Sequence, residues 1–135
     1  MSFIDIPTEQ TTAATDLVLA LQAIAIRYSI ACSPSVRTLG MRIWLWIFSL
    51  LIVVSTLGAV AHGIQMTARI NAAIWIPLYL ALGVIIALLA VAAVSHAWND
   101  ALARRFLRPA MCIGVAFFAV TQLWSDSFLL FVLYD

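Results

Sequence analysis

Two long runs without a single formal charge, Ile43–Ala68 and Ile70–Asn99, limit what this chain can fold into more than any other feature. A helix rises 1.5 Å per residue, so roughly 20 apolar residues cross the ~30 Å hydrocarbon core of a bilayer. Each run is long enough to do so. In water, runs of this kind would expose more apolar surface than a small domain can cover. The chain has 135 residues, of which 65% are hydrophobic and 10% charged. A soluble domain is nearer half apolar and a quarter charged. Disordered, collagen-like and ordinary soluble enzyme classes are therefore excluded. A net charge of +1 gives no reason to expect nucleic acid as a partner.

Two further segments flank the central pair. Leu17–Ile26 is apolar apart from Gln22, and it extends to about residues 14–32 if Asp16 and Arg27 reach toward water. The run Thr11–Asp16 offers N-caps for it. An amphipathic helix lying on the membrane surface is the rival reading of this segment. The last segment runs from about Pro109, suited to a first helical position, to Tyr134, with Asp126 in its outer third. The alternative there is a helix ending near Trp124 with an interfacial tail. The expected architecture is an all-α integral membrane helical bundle, a single domain over residues 1–135. Its four transmembrane helices are expected over about residues 14–32, 43–66, 72–98 and 109–134. The turn cluster Cys32-Ser33-Pro34-Ser35, the pair Arg69/Asn71 and the stretch Arg104–Arg108 separate them. Trp44, Trp46, Trp75, Trp98, Trp124 and Tyr134 fall near the expected interfaces as an aromatic belt.

The basic residues orient these spans. All seven are arginines. Arg27, Arg37 and Arg42 fall in the first connection, Arg104, Arg105 and Arg108 in the third, and Arg69 alone on the other side. The positive-inside rule places the first and third connections in the cytoplasm and both termini outside, an N-out/C-out topology in a bacterial inner membrane. The acidic start, with Asp5 and Glu9 and no basic residue, is unlike a cleaved leader. Cys32 and Cys112 are spaced as neither a zinc motif nor a redox pair, and they are expected as free thiols on the cytoplasmic side.

Polar side chains inside spans point to packing or chemistry, because leaving them against lipid is costly. Ser55, Gly58, His62 and Gln65 share one face of the second segment, and Ser55, Ala59 and Gly63 form a ladder of small residues beside it. Gly114, Phe118, Gln122 and Asp126 share a face of the fourth. Asp16, His62 and Asp126 lie toward the outer side on three different segments. They are candidate catalytic residues for proton transfer, metal-assisted chemistry or ester cleavage, with Gln65, Asn71 and Gln122 nearby. The bland reading of the two acids is capping or interfacial hydration. His96, Asn99 and Asp100 stand together near the cytoplasmic end of the third segment. There the acid is expected to orient the imidazole, pair with Arg104 or cap a helix. The steps Ala92/His96 and Gly58/His62 resemble the small-xxx-His arrangement of light-harvesting polypeptides. That likeness implies tetrapyrrole binding (haem or bacteriochlorophyll) through His96 or His62.

Three short stretches carry a further likeness: Thr15-Asp16 with Leu17 and Leu19, the stretch Leu57–Gly63, and Phe131–Asp135. Together they resemble an uncharacterised bacterial multi-pass family distantly similar to the CREST superfamily of membrane hydrolases, the alkaline-ceramidase and lysoplasmalogenase type. In that superfamily a serine precedes the second-helix histidine by one turn, and more histidines stand on the last of about seven helices. Here His62 matches, Gly58 stands at the serine position, and His96 is the only other histidine. The likeness implies shared ancestry of fold and does not carry the zinc site. The most economical expectation is a non-catalytic accessory or structural subunit in a homo-oligomer or larger membrane complex, with the bilayer and other transmembrane helices as partners. A lipid-directed hydrolase with an outer-face Asp/His cluster is the alternative, and a tetrapyrrole-binding subunit is another. A transporter lacks the ionisable residues it needs at the midplane of the central spans.

Overall fold

A computed structural model describes residues 3–34 and 38–123 as four helices in sequence: α1 (Pro7–Ala31), α2 (Leu39–Gly63), α3 (Ala68–Ala97) and α4 (Asp100–Leu123). The protein is an all-α helical bundle. Each helix packs against its neighbour in the chain, α1 on α2, α2 on α3 and α3 on α4, while other helix pairs touch only marginally. The result is an open layer with α1 and α4 at its edges. Among the described residues, α1, α2 and α3 are long and apolar enough to cross a membrane. The protein is therefore a membrane protein with transmembrane helices.

The helix ends show how the sequence punctuates itself. Pro7 stands in the first turn of α1, where its missing N–H costs nothing. The threonines that follow lie inside the helix rather than capping it. Thr11, Thr12 and Thr15 donate their hydroxyls to the carbonyls of Pro7, Thr8 and Thr11 at 2.8, 3.0 and 2.8 Å. Bonding back to the preceding turn satisfies each hydroxyl without water, so α1 begins at Pro7 and not near Ala14. Thr38 caps α2 by accepting from Met41 N at 3.3 Å, and Thr67 caps α3 by accepting from Ile70 N at 3.4 Å. Asn99 accepts from Leu102 N at 2.9 Å and starts α4. Pro109, expected at a first turn, instead lies inside α4, because Asn99 supplies the cap a full stretch earlier. The rest of the expected last span, including Asp126 and Tyr134, lies outside the described residues.

Small residues bring the helices together. α1 buries only Ala13, Ala20 and Ala23. These alternate with Glu9, Asp16 and Arg27 along a single three-four stripe. A Cβ placed on Gly63 would meet Ala13 Cβ at 3.4 Å, the carboxylate of Asp16 lies against Gly58, and Arg27 Nε donates to Ser49 Oγ at 2.7 Å. These three contacts set an antiparallel register from end to end. α2 and α3 share the main apolar core, with Ile43, Ile47 and Val54 against Leu78, Ile85 and Leu88. α3 and α4 cross at Gly83 and Gly114, where a Cβ on either glycine would come within 2.8 or 2.6 Å of the other's carbonyl oxygen. Only glycine permits that approach.

The crossing yields a direct prediction. Gly114→Ala forces backbone apart and is expected to destabilise the protein by about 1–3 kcal/mol. Gly40→Ala meets only Ser95 Oγ at 3.5 Å and is expected to be neutral or stabilising by up to about 1 kcal/mol. Thermal unfolding of both variants in mild detergent checks the contrast.

Candidate functional site

The register of α1 on α2 sets the first turn of one helix beside the last turn of the other. The N-terminal segment reinforces it. Phe3 bridges Ile64, Ile4 N donates to Gly63 O at 3.1 Å, and Gln10 Nε2 donates to Ile4 O at 2.9 Å. This short strap satisfies an orphan carbonyl at the end of α2 and holds the start of α1 against it. Glu9 is thereby placed on His62, with Oε2 to Nδ1 at 2.6 Å. With an ionised carboxylate as acceptor, Nδ1 carries the proton and Nε2 is left outside this contact. His62 also stands in the last turn of α2.

The other walls come from α1 and α3. Asp16 lies within Coulombic range of His62, and its Oδ2 fills the notch at Gly58, 2.6 Å from where a Cβ would be. Trp75 of α3 meets the His62 ring edge-on, with centroids 5.5 Å apart at 82°. Its Nε1 donates to Asn71 Oδ1 at 2.9 Å, and its ring stacks on Tyr79 at 5.5 Å. One turn below Gly58, Ser55 is 2% exposed, and its hydroxyl has no hydrogen-bond partner among the described residues.

Of the expected cluster, the structure brings Asp16 and His62 near each other and adds Asn71. Asp126 lies outside the described residues, Gln65 is exposed in the α2–α3 connection, and Gln122 is exposed on α4. The partner that touches the imidazole is Glu9, which sequence reasoning treated only as an outer charge. Its signal was present: Glu9 stands seven residues before Asp16, hence on the same stripe of α1. Trp75, read as a belt residue, is a wall of the site. In the packing ladder Ser55, Ala59 and Gly63, the first two are buried, and the last faces Ala13 of α1.

At the opposite end Asp100 turns away from His96. Its Oδ1 accepts from Ser95 Oγ at 2.5 Å and its Oδ2 from Leu39 N at 3.4 Å, so it caps α2 from the start of α4. His96 is exposed. Ala92 is 5% exposed within the core, and the Asp16 carboxylate occupies the space at Gly58. Among the described residues, no three His, Cys, Asp or Glu side chains are placed to hold a metal ion.

The Glu9–His62 contact is partly open to solvent, with side chains 39% and 26% exposed. A double-mutant cycle of Glu9→Gln and His62→Ala, read by thermal unfolding in lipid nanodiscs, is expected to give a coupling of about 0.5–1 kcal/mol. A coupling of zero would show that the pair does not hold the strap in place.

No curated protein and no solved structure matches the chain. Residues 11–135 match the model of a family of unknown function, DUF6962. Because that match covers nearly the whole chain, the protein belongs to this family.

Proposed function

We propose that the protein is a four-span inner-membrane subunit, N-out and C-out, with a structural or accessory rather than catalytic role. The observation that carries this reading is the open layer. α1 touches α2 and little else, burying only alanines, while Leu17, Val18, Leu21 and Ile24 face outward. On the far edge Ile113 and Val115 of α4 do the same. Lipid satisfies such faces, and so do helices of another copy or another protein, through van der Waals packing. The polar groups at the outer end are largely paired with one another, as expected of groups that fix a register. Native mass spectrometry and crosslinking in lipid nanodiscs are expected to find dimers or larger assemblies. Isolated monomers under both conditions would refute the subunit reading.

The topology has its own test. Arg27, Arg42, Arg104, Arg105 and Arg108 lie at one end of the layer, with Cys32 close by and Cys112 one turn past Arg108 in α4. Both thiols are exposed. In intact cells, an impermeant thiol reagent is expected to leave them unlabelled until the membrane is permeabilised.

A second reading, a lipid-directed hydrolase, is favoured by one contact. A carboxylate on Nδ1 orients an imidazole so that Nε2 acts as a base, the arrangement used for proton abstraction. Glu9 supplies that carboxylate to His62. The likeness to the CREST superfamily at His62 points the same way, and Gly58 departs from it by removing the hydroxyl. Release of fatty acid from phospholipid or ceramide vesicles by the purified chain, lost on His62→Ala, would replace the subunit reading with this one.

A further inference from the structure

We propose that the groove between α3 and α4 binds an anionic phospholipid, with a stretch of acyl chain in the groove and the phosphate at Arg105. The groove is apolar, about 160 Å³, and lined by Gly83, Ile86, Ala90, Phe106, Ile113 and Phe117. It exists because Gly83 and Gly114 carry no Cβ, which lets the two helices cross closely and leaves a furrow beside the crossing. A helix is at least 10 Å across with its side chains, far too wide for this space, whereas a hydrocarbon chain is thin enough to lie in it. The furrow runs along α4 toward Phe106, and Phe106 is flanked in the chain by Arg104, Arg105 and Arg108, all exposed.

Charge chooses the occupant. Arg27, Arg42, Arg104, Arg105 and Arg108 are exposed at this end of the layer. Asp100 is the one acid there among the described residues, and its two oxygens accept from Ser95 and Leu39. Among the described residues none of these arginines pairs with a carboxylate, while the single ion pair, Glu9–His62, lies at the other end. An apolar furrow whose Phe106 end adjoins Arg105 in the chain, at the arginine-bearing end of the layer, matches a phosphate headgroup joined to an acyl chain. A zwitterionic headgroup brings its own cation and gains less. The inference is independent of whether the chain has protein partners.

The test uses the full chain in mild detergent, supplied with equimolar phosphatidylglycerol and phosphatidylcholine and read by native mass spectrometry. Phosphatidylglycerol is expected to be retained preferentially. Arg105→Gln is expected to lower its retention about fivefold, the effect of one basic residue at an anionic surface. Ala90→Phe fills the furrow from an exposed position, so it is expected to abolish retention without moving the unfolding temperature. Equal retention of the two lipids overturns the proposal. So does unchanged retention in Ala90→Phe, which would mean surface charge alone. Displacement of phosphatidylglycerol by millimolar inorganic phosphate in wild type and Ala90→Phe alike would mark a free-anion site, and a dimer dissolved by Ala90→Phe would mark a second copy in the furrow. Either result also overturns it.

Discussion

The rest of the structure depends on the close approach of α1 to α2. In lipid there is no hydrophobic gain in bringing one apolar helix against another, because the tails they displace are equally apolar. What remains is van der Waals contact, and it is strongest where side chains are small. α1 meets that condition with Ala13, Ala20 and Ala23, and α2 with Ser55, Gly58, Ala59 and Gly63. The polar residues share the same stripe, so packing and chemistry are not separable here. Sliding the register by one turn would take Asp16 out of the Gly58 notch, Glu9 off His62 and Arg27 off Ser49 together. Buried polar pairs contribute modestly to membrane helix association, ~0.6 kcal/mol on average. Their larger effect is on register, since each misplaced one would face hydrocarbon unpaired.

Helix ends impose the second constraint. In a bilayer the unpaired backbone groups of each terminus need partners from protein or interfacial water. The two ends of this layer meet the need differently. At one end a peptide strap closes the α2 terminus through Ile4, and a carboxylate–imidazole pair lies beside it. At the other end Asp100 reaches from α4 to the first N–H of α2 and to Ser95, joining three helices through one side chain. Glu9, Asp16 and His62 thus gather at one end of the layer, and Asp100 with Arg27, Arg42, Arg104, Arg105 and Arg108 at the other.

How much of this was legible in the sequence follows from the physics of each signal. The central helices were plain, because an unbroken apolar run admits few alternatives in lipid. The starts of α1 and α4 were less so. Threonine signals a cap or a helix interior according to whether its hydroxyl bonds forward or back, and composition does not distinguish the two. Pro109 reads as a first-turn residue until Asn99 is recognised as the cap upstream. That Asp16 lies within Coulombic range of His62 accords with both standing toward one side of the chain. A helix beginning near Ala14 leaves Glu9 off α1 and hence off the stripe, so the residues alone do not place it on His62. Asp100 had several basic neighbours in sequence, yet its partners are a serine and a distant backbone N–H, which no local pattern encodes.

Position 58 shows how a single missing side chain shapes the contact between α1 and α2. A Cβ at position 58 in this protein would lie 2.6 Å from Asp16 Oδ2 and 3.1 Å from its Cγ. A serine there and the present position of Asp16 are mutually exclusive. The absence of a side chain on α2 is what lets α1 deliver a carboxylate to the same place. A carboxyl group of α1 thereby stands near the His62 imidazole without being bonded to it. The missing Cβ at position 58 and the stripe that carries Glu9 and Asp16 together put two carboxylates at the His62 end of α2.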